Sequence, residues 1–136
     1  MKTIKFSLVL IGILLSLSVM SQDILMLRAT EATVRNPNLE EDFPKPATIN
    51  TLITVNLADD VIRVDNKFKD TYYIRESSKP IHSADDTGKS TTFLLTAYDK
   101  DNVSCRIVYT ASDDHNIIMI AIIYSNLELI YKCKKI

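Results

Sequence analysis

Two histidines and a handful of aspartates are the side chains of this 136-residue sequence best equipped for chemistry. His82, Asp85 and Asp86 stand together in "SSKPIHSADDTGKS", and Asp113, Asp114 and His115 in "ASDDH". Imidazole nitrogens with carboxylate oxygens suit a divalent metal. A histidine beside a carboxylate also suits a hydrolase, provided a nucleophile lies within reach. Both stretches read as polar loops, so either chemistry requires the fold to bring them together. No serine is flanked by nucleophile-elbow glycines, and no Gly-rich phosphate loop is present. "DKDN" at 99–102 resembles the start of a calcium loop but lacks the glycine and distal glutamate of an EF-hand. Aspartate and asparagine in that place make an ordinary turn. No cofactor is expected.

Cys105 and Cys133 are the remaining reactive groups. An exporting compartment favours a bridge between two cysteines. Whether they can meet depends on the strands that carry them. "TINTLITVNLADDVIRVDN" alternates apolar and polar residues on both sides of Ala58-Asp59. A hairpin there pairs Val55 with Ile62 and Ile53 with Val64, giving one apolar face and one polar face. "TYYIRE" follows as a strand with Tyr72 and Ile74 inward. Ser77 to Ser90 reads as a long polar loop, "TTFLLTAY" as the next strand, and "VSCRIVYT" as its return from the 99–102 turn.

Ile117 to Tyr124 is an unbroken apolar run with five isoleucines in eight residues. It is too short for a membrane helix, and its β-branched content favours a strand buried on both faces. The alternative is a strand with one face left for a partner. A "SN" turn pairs Tyr124 with Leu127, and a four-residue loop over 111–114 pairs Thr110 with His115. Cys105 then faces Ile120, and Cys133 faces Ile118. That places the sulfurs two strands and two residues apart, about 9–10 Å by about 7 Å, too far for a disulfide. Geometry speaks against the Cys105–Cys133 bridge that the compartment favours.

The N-terminal Asp23 to Val34 is expected as a further strand, and Arg35 to Ala47, with Pro37, Pro44 and Pro46, as an extended loop. Seven to eight short strands with short connections make an antiparallel meander. The expected fold is all-β, barrel-like or an open barrel, with a two-layer sandwich as the alternative. Tyr72, Tyr73, Tyr98, Tyr109, Tyr124 and Tyr131 are its amphipathic side chains, and the inward ones suit the lining of a ligand cavity.

Met1 to Met20 has a short basic start, with Lys2 and Lys5, and a fifteen-residue apolar core from Phe6. With Val19 and Ser21 at a cleavage site, residues 1–21 read as an export signal. The domain plan is then a signal over 1–21, an N-terminal segment and Pro-rich loop over 22–47, and a β domain over 48–136. Cleavage takes the basic residues from 16 to 14 against 17 acidic ones, a balance of −3. Without a clustered basic face this is no nucleic-acid binder, and no membrane span follows the signal.

"ITVNLADDVIRVDN", "YYI", "AYDKDNVSCRIVY" and "IIYSNLELIY" together resemble a loose class of small exported proteins of Gram-negative bacteria. The resemblance covers roughly residues 49–131 and implies an exported β-meander, periplasmic or extracellular, without implying an activity. Lipocalin-like barrels are a more distant similarity, by strand count, and the Gly-x-Trp signature of that family is absent. The leading expectation is a non-catalytic domain that binds a protein partner or a small apolar ligand. The alternatives are a metal-dependent or hydrolytic enzyme built on the His/Asp loops, and a structural envelope component that self-associates.

Overall fold

A computed structural model describes residues 24–36, 38, 45–66, 69–86, 88–112 and 117–136. The expected export signal, most of the Pro-rich loop, and Asp113, Asp114 and His115 lie outside these residues. Among the described residues nine strands follow one another: β1 (Ile24–Arg35), β2 (Ala47–Asn56), β3 (Val61–Asp65), β4 (Asp70–Ser77), β5 (Ile81–Asp85), β6 (Gly88–Asp99), β7 (Ser104–Ser112), β8 (Ile117–Ile123) and β9 (Glu128–Lys135). All pairings are antiparallel, in the order β4-β3-β2-β1-β9-β8-β7-β6-β5, and β4 also pairs with β6. That last pairing closes eight strands into a barrel and leaves β5 as one extra strand along β6. The barrel is therefore closed rather than open, and no two-layer sandwich forms.

Closure needs sharp corners, which small barrels often make with glycine. Here the registers shift at Thr30 in β1 and at Arg75 in β4. Such bulges bend and twist a strand locally, so the corners need no glycine. Gly88 (φ 129°) is kept for the entry to β6, a conformation closed to residues with a Cβ.

Alternation decides which residues fill the barrel. Val55 pairs with Ile62 and Ile53 with Val64, as the hairpin pattern predicts. The turn spans residues 57–60, and Asp60 takes a left-handed φ of 54° that aspartate tolerates better than most residues. The Asp60 carbonyl accepts a 2.8 Å hydrogen bond from the backbone N–H of Ile74, tying the turn to β4. Tyr72 and Ile74 point inward and are buried. Phe93, Leu27, Ile62, Ile107 and Ile120 fill the interior with other inward side chains of the eight strands.

The registers around β8 were only partly foreseen. Ile118 pairs with Cys133 and Ile120 with Tyr131, and the backbone N–H of Tyr124 donates to the Leu127 carbonyl at 2.7 Å. This is the register the "SN" turn implies. Between β7 and β8, however, Tyr109 pairs with Ile120 and Ala111 with Ile118. The expected pairing of Cys105 with Ile120 is four residues out. β7 runs on through Ala111, which gains a buried inward pair with Ile118 before the polar 113–116 stretch. An offset of four keeps the same face inward, so the face was right and the partners were wrong.

Two further expectations change. β5 occupies part of the stretch read as a loop, and all five of its residues are exposed. β8 is not buried on both faces. Ile118, Ile120 and Ile122 are buried inside the barrel, whereas Ile117, Met119, Ala121 and Ile123 face outward and keep solvent exposure.

Candidate functional site

The sequence offers the His/Asp stretches first. His82 and Asp85 lie on β5, Asp86 just after it, and the His82 Nδ1 is 3.1 Å from the Thr91 hydroxyl. Asp113, Asp114 and His115 fall outside the described residues. Ser112 pairs with Ser90, which pairs with Ser83. No group of three metal-ligating side chains forms among the described residues.

The 99–102 stretch is a turn. Asp99 Oδ1 accepts 2.9 Å hydrogen bonds from the backbone N–H groups of Asp101 and Val103, and the Tyr124 hydroxyl donates to Oδ2 at 2.9 Å. Desolvation opposes the Asp99 charge. The donors from Val103, Tyr124 and Asp101, with the Lys100 ammonium, outweigh it and hold the carboxyl below its usual value. A carboxylate engaged in this way is a structural knot, not a spare metal ligand.

Of the six tyrosines, Tyr72, Tyr109 and Tyr131 point inward and are buried. Tyr72 shares a hydrogen bond with Tyr124, and Tyr109 packs on Phe93 with ring centroids 6.2 Å apart. Burial raises the pKa of all four phenols, and the Asp70 and Asp99 carboxylates add to this at Tyr72 and Tyr124. These phenols stay protonated and fill space. Tyr73 and Tyr98 are on the outside, stacked at 5.4 Å.

Both cysteines are free thiols inside the barrel, so the candidate disulfide is not made. Cys133 is level with Ile118 and hence with Ala111, whereas Cys105 lies six residues back along β7. That offset is about 20 Å along the strand, larger than the sequence implies. Burial pushes the Cys105 thiol up to about 11, with the Asp99 charge adding to it, and the Cys133 thiol up to about 12. Neither is poised as a nucleophile, which requires a thiolate.

What the arrangement does present is an apolar outer wall. Cross-strand registers set Leu94, Val108, Ala121 and Ile130 in one row across β6, β7, β8 and β9. Met119 and Ile123 flank Ala121 on the same outer face of β8. Leu94 is 47% exposed and Met119 36%. The backbone of each strand runs beside its sheet neighbours alone, so no described element lies over this wall. Comparison with protein-family models, with curated proteins and with solved structures finds no match for the chain. The wall therefore has to be read from its own chemistry, which is that of exposed apolar side chains.

Sequence reasoning named this run but assigned its outer half to a core. One signal was available. A meander closed on itself has a single inside, so only one face of β8 could enter the core. Its outward residues had to remain at the surface.

Proposed function

We propose that this protein is an exported, non-catalytic barrel that acts by binding another protein through the outer wall of β6 to β9. The observation that carries the reading is the outer face of β8. Its four outward residues are Ile117, Met119, Ala121 and Ile123, where alternation would ordinarily place polar groups. Contiguous exposed apolar surface of this kind marks interaction sites. Protonated, buried thiols and phenols support a role without nucleophilic chemistry. The basic start and apolar core of residues 1–21 support export, and sequencing of secreted material that begins at Met1 would overturn that part.

Binding of Nile red, a neutral apolar dye, tests the surface. The folded chain is expected to enhance its fluorescence, and Met119→Lys to remove most of that enhancement without lowering the melting temperature. A Met119→Lys protein that melts early would place the residue in a core and sink the reading.

A further inference from the structure

We propose that the inside of the barrel receives a small neutral ligand, an apolar body with one oxygen, seated between the Tyr109 hydroxyl and the small side chains around Cys133. This site is separate from the outer wall and goes beyond the partner-binding reading above. Two neighbouring rows of inward residues differ sharply in bulk. Register sets Tyr131, Ile120, Tyr109 and Phe93 level across β9, β8, β7 and β6. Two residues along, the level row is Cys133, Ile118, Ala111 and Thr91, and Ala29 of β1 continues it beside Cys133. All of these residues are buried. The first row is bulky at every place, whereas Ile118 is the one large side chain of the second.

The Tyr109 hydroxyl supplies the independent pointer to a ligand. Tyr72 shares a hydrogen bond with Tyr124, Tyr124 donates to Asp99, and Tyr131 bonds Asn66. Tyr109 is only 5% exposed, and among the described residues its hydroxyl has no hydrogen-bond partner. No fully enclosed side-chain nitrogen or oxygen among the described residues goes unpaired, so this hydroxyl borders space that a small molecule can reach. Cys133 is the ionisable group that acts on the phenol, which sets the ring toward the small row. A buried hydroxyl left without a partner is costly. Water matches the place poorly, because a buried water takes roughly 2–4 polar partners. The row offers the Cys133 thiol, a weak partner, and the Thr91 hydroxyl, already 3.1 Å from His82 Nδ1. Neither row carries a charged side chain, so an ion would lose its water without gaining a counter-charge. From Ala111 to Ala29 the row crosses the gaps between β7, β8, β9 and β1, about 14 Å in all. A six-carbon chain lies along it with its oxygen on Tyr109.

Titration of 1-hexanol into the isotopically labelled mature chain, followed by NMR, tests this. The expected result is a saturable shift of the Ala29, Ala111 and Ile118 methyl signals, with hexanoate at the same concentration producing none. Tyr109→Phe is expected to keep its melting temperature, since the lost hydroxyl had no partner, and to weaken hexanol binding about fivefold. Ala29→Leu, which fills the row, is expected to abolish binding, and Ala111→Leu serves the same end should that variant misfold. Met119→Lys, on the outer wall, is expected to leave hexanol affinity unchanged. Wild-type signals that fail to saturate, or that move only at Met119 and Ile123, overturn the interior site. Hexanoate that binds as tightly as hexanol overturns the neutral ligand. An affinity unchanged in Tyr109→Phe overturns the hydroxyl as the anchor, and a Tyr109→Phe protein that melts early shows that hydroxyl already engaged and overturns the site with it.

Discussion

The two walls of the barrel solve the inside in the same way and the outside in opposite ways. On β2 to β4, Ile53, Val55, Ile62, Val64, Tyr72 and Ile74 turn inward, and Thr54, Arg63, Asp65 and Arg75 turn out. Leu52, Tyr73 and the buried Val61 are the apolar or aromatic exceptions on that outer face. On β6 to β9 the inward set is equally apolar, but Leu94, Val108, Met119, Ala121, Ile123 and Ile130 turn out as well, among Thr92, Thr96, Arg106, Thr110, Glu128 and Lys132. A barrel needs only its inner face to be apolar, since burial there is what stabilises it. The mainly polar wall shows that solvated outer residues are compatible with this barrel. Folding thus gives no reason for apolar residues on the outer wall, and the proposed partner would supply one.

The sharpest way to break the comparison is to place one charge on each face of β8. Ile120→Asp is expected to unfold the domain. Ile120 is fully buried, and an unpaired charge there costs several kcal/mol against a total stability of about 5–15 kcal/mol. A soluble, cooperatively melting Ile120→Asp protein would reverse the assignment of faces. Met119→Asp, one residue away, is expected to change stability by no more than about 0.5 kcal/mol.

An intermediate effect belongs to the seam where β4 and β6 join the walls. Tyr124→Phe removes a donor to Asp99 and is expected to cost about 1–3 kcal/mol, read as a lower urea midpoint. Asp99 also makes the seam sensitive to pH. Its carboxyl lies below the ordinary value of 3.8 in the folded chain, so the folded state favours the charged form. That contribution is fully present above the ordinary value and is lost as the pH falls through the folded one. The wild type's advantage over Asp99→Asn should shrink in acid, and a gap that widened there would contradict the assigned bonds.

The smallest expected effect is on the cysteines. In the native chain at pH 8, neither Cys105 nor Cys133 should take up iodoacetamide, because burial keeps both protonated and shielded. Both should label in denaturant. A Cys105–Cys133 crosslinked peptide would refute the β7–β8 register and with it the levels on which the outer wall is built.

Much of this was legible in the residues. Strict alternation fixed the β2–β3 register and the inward Tyr72 and Ile74, because a one-residue slip would expose the whole apolar set. Two parts were not legible. β5, with Pro80 ahead of it and only polar or exposed residues, has no pattern of its own. It is a strand because β6 is long enough to hold β4 at one end and β5 at the other. The β7–β8 offset turned on where a polar loop begins, and Ala111 and Ser112 are too small and neutral to mark that boundary. The candidate surface was half visible: the run stood out, but which side of it lay outside followed only from closure.

Closure carries a consequence for the order of events in time. β1 pairs with β9, so the barrel shuts by joining strands about a hundred residues apart, a step whose loop entropy is repaid late. Until β9 arrives, β1 and β8 both have bare edges, and β8 also has an apolar outer face beside its edge. Such an intermediate is prone to clumping with its neighbours. The stretch from Glu128 to Lys135 is accordingly the latch of the folding reaction, and slowing its arrival should turn yield into aggregate well before it alters the finished protein.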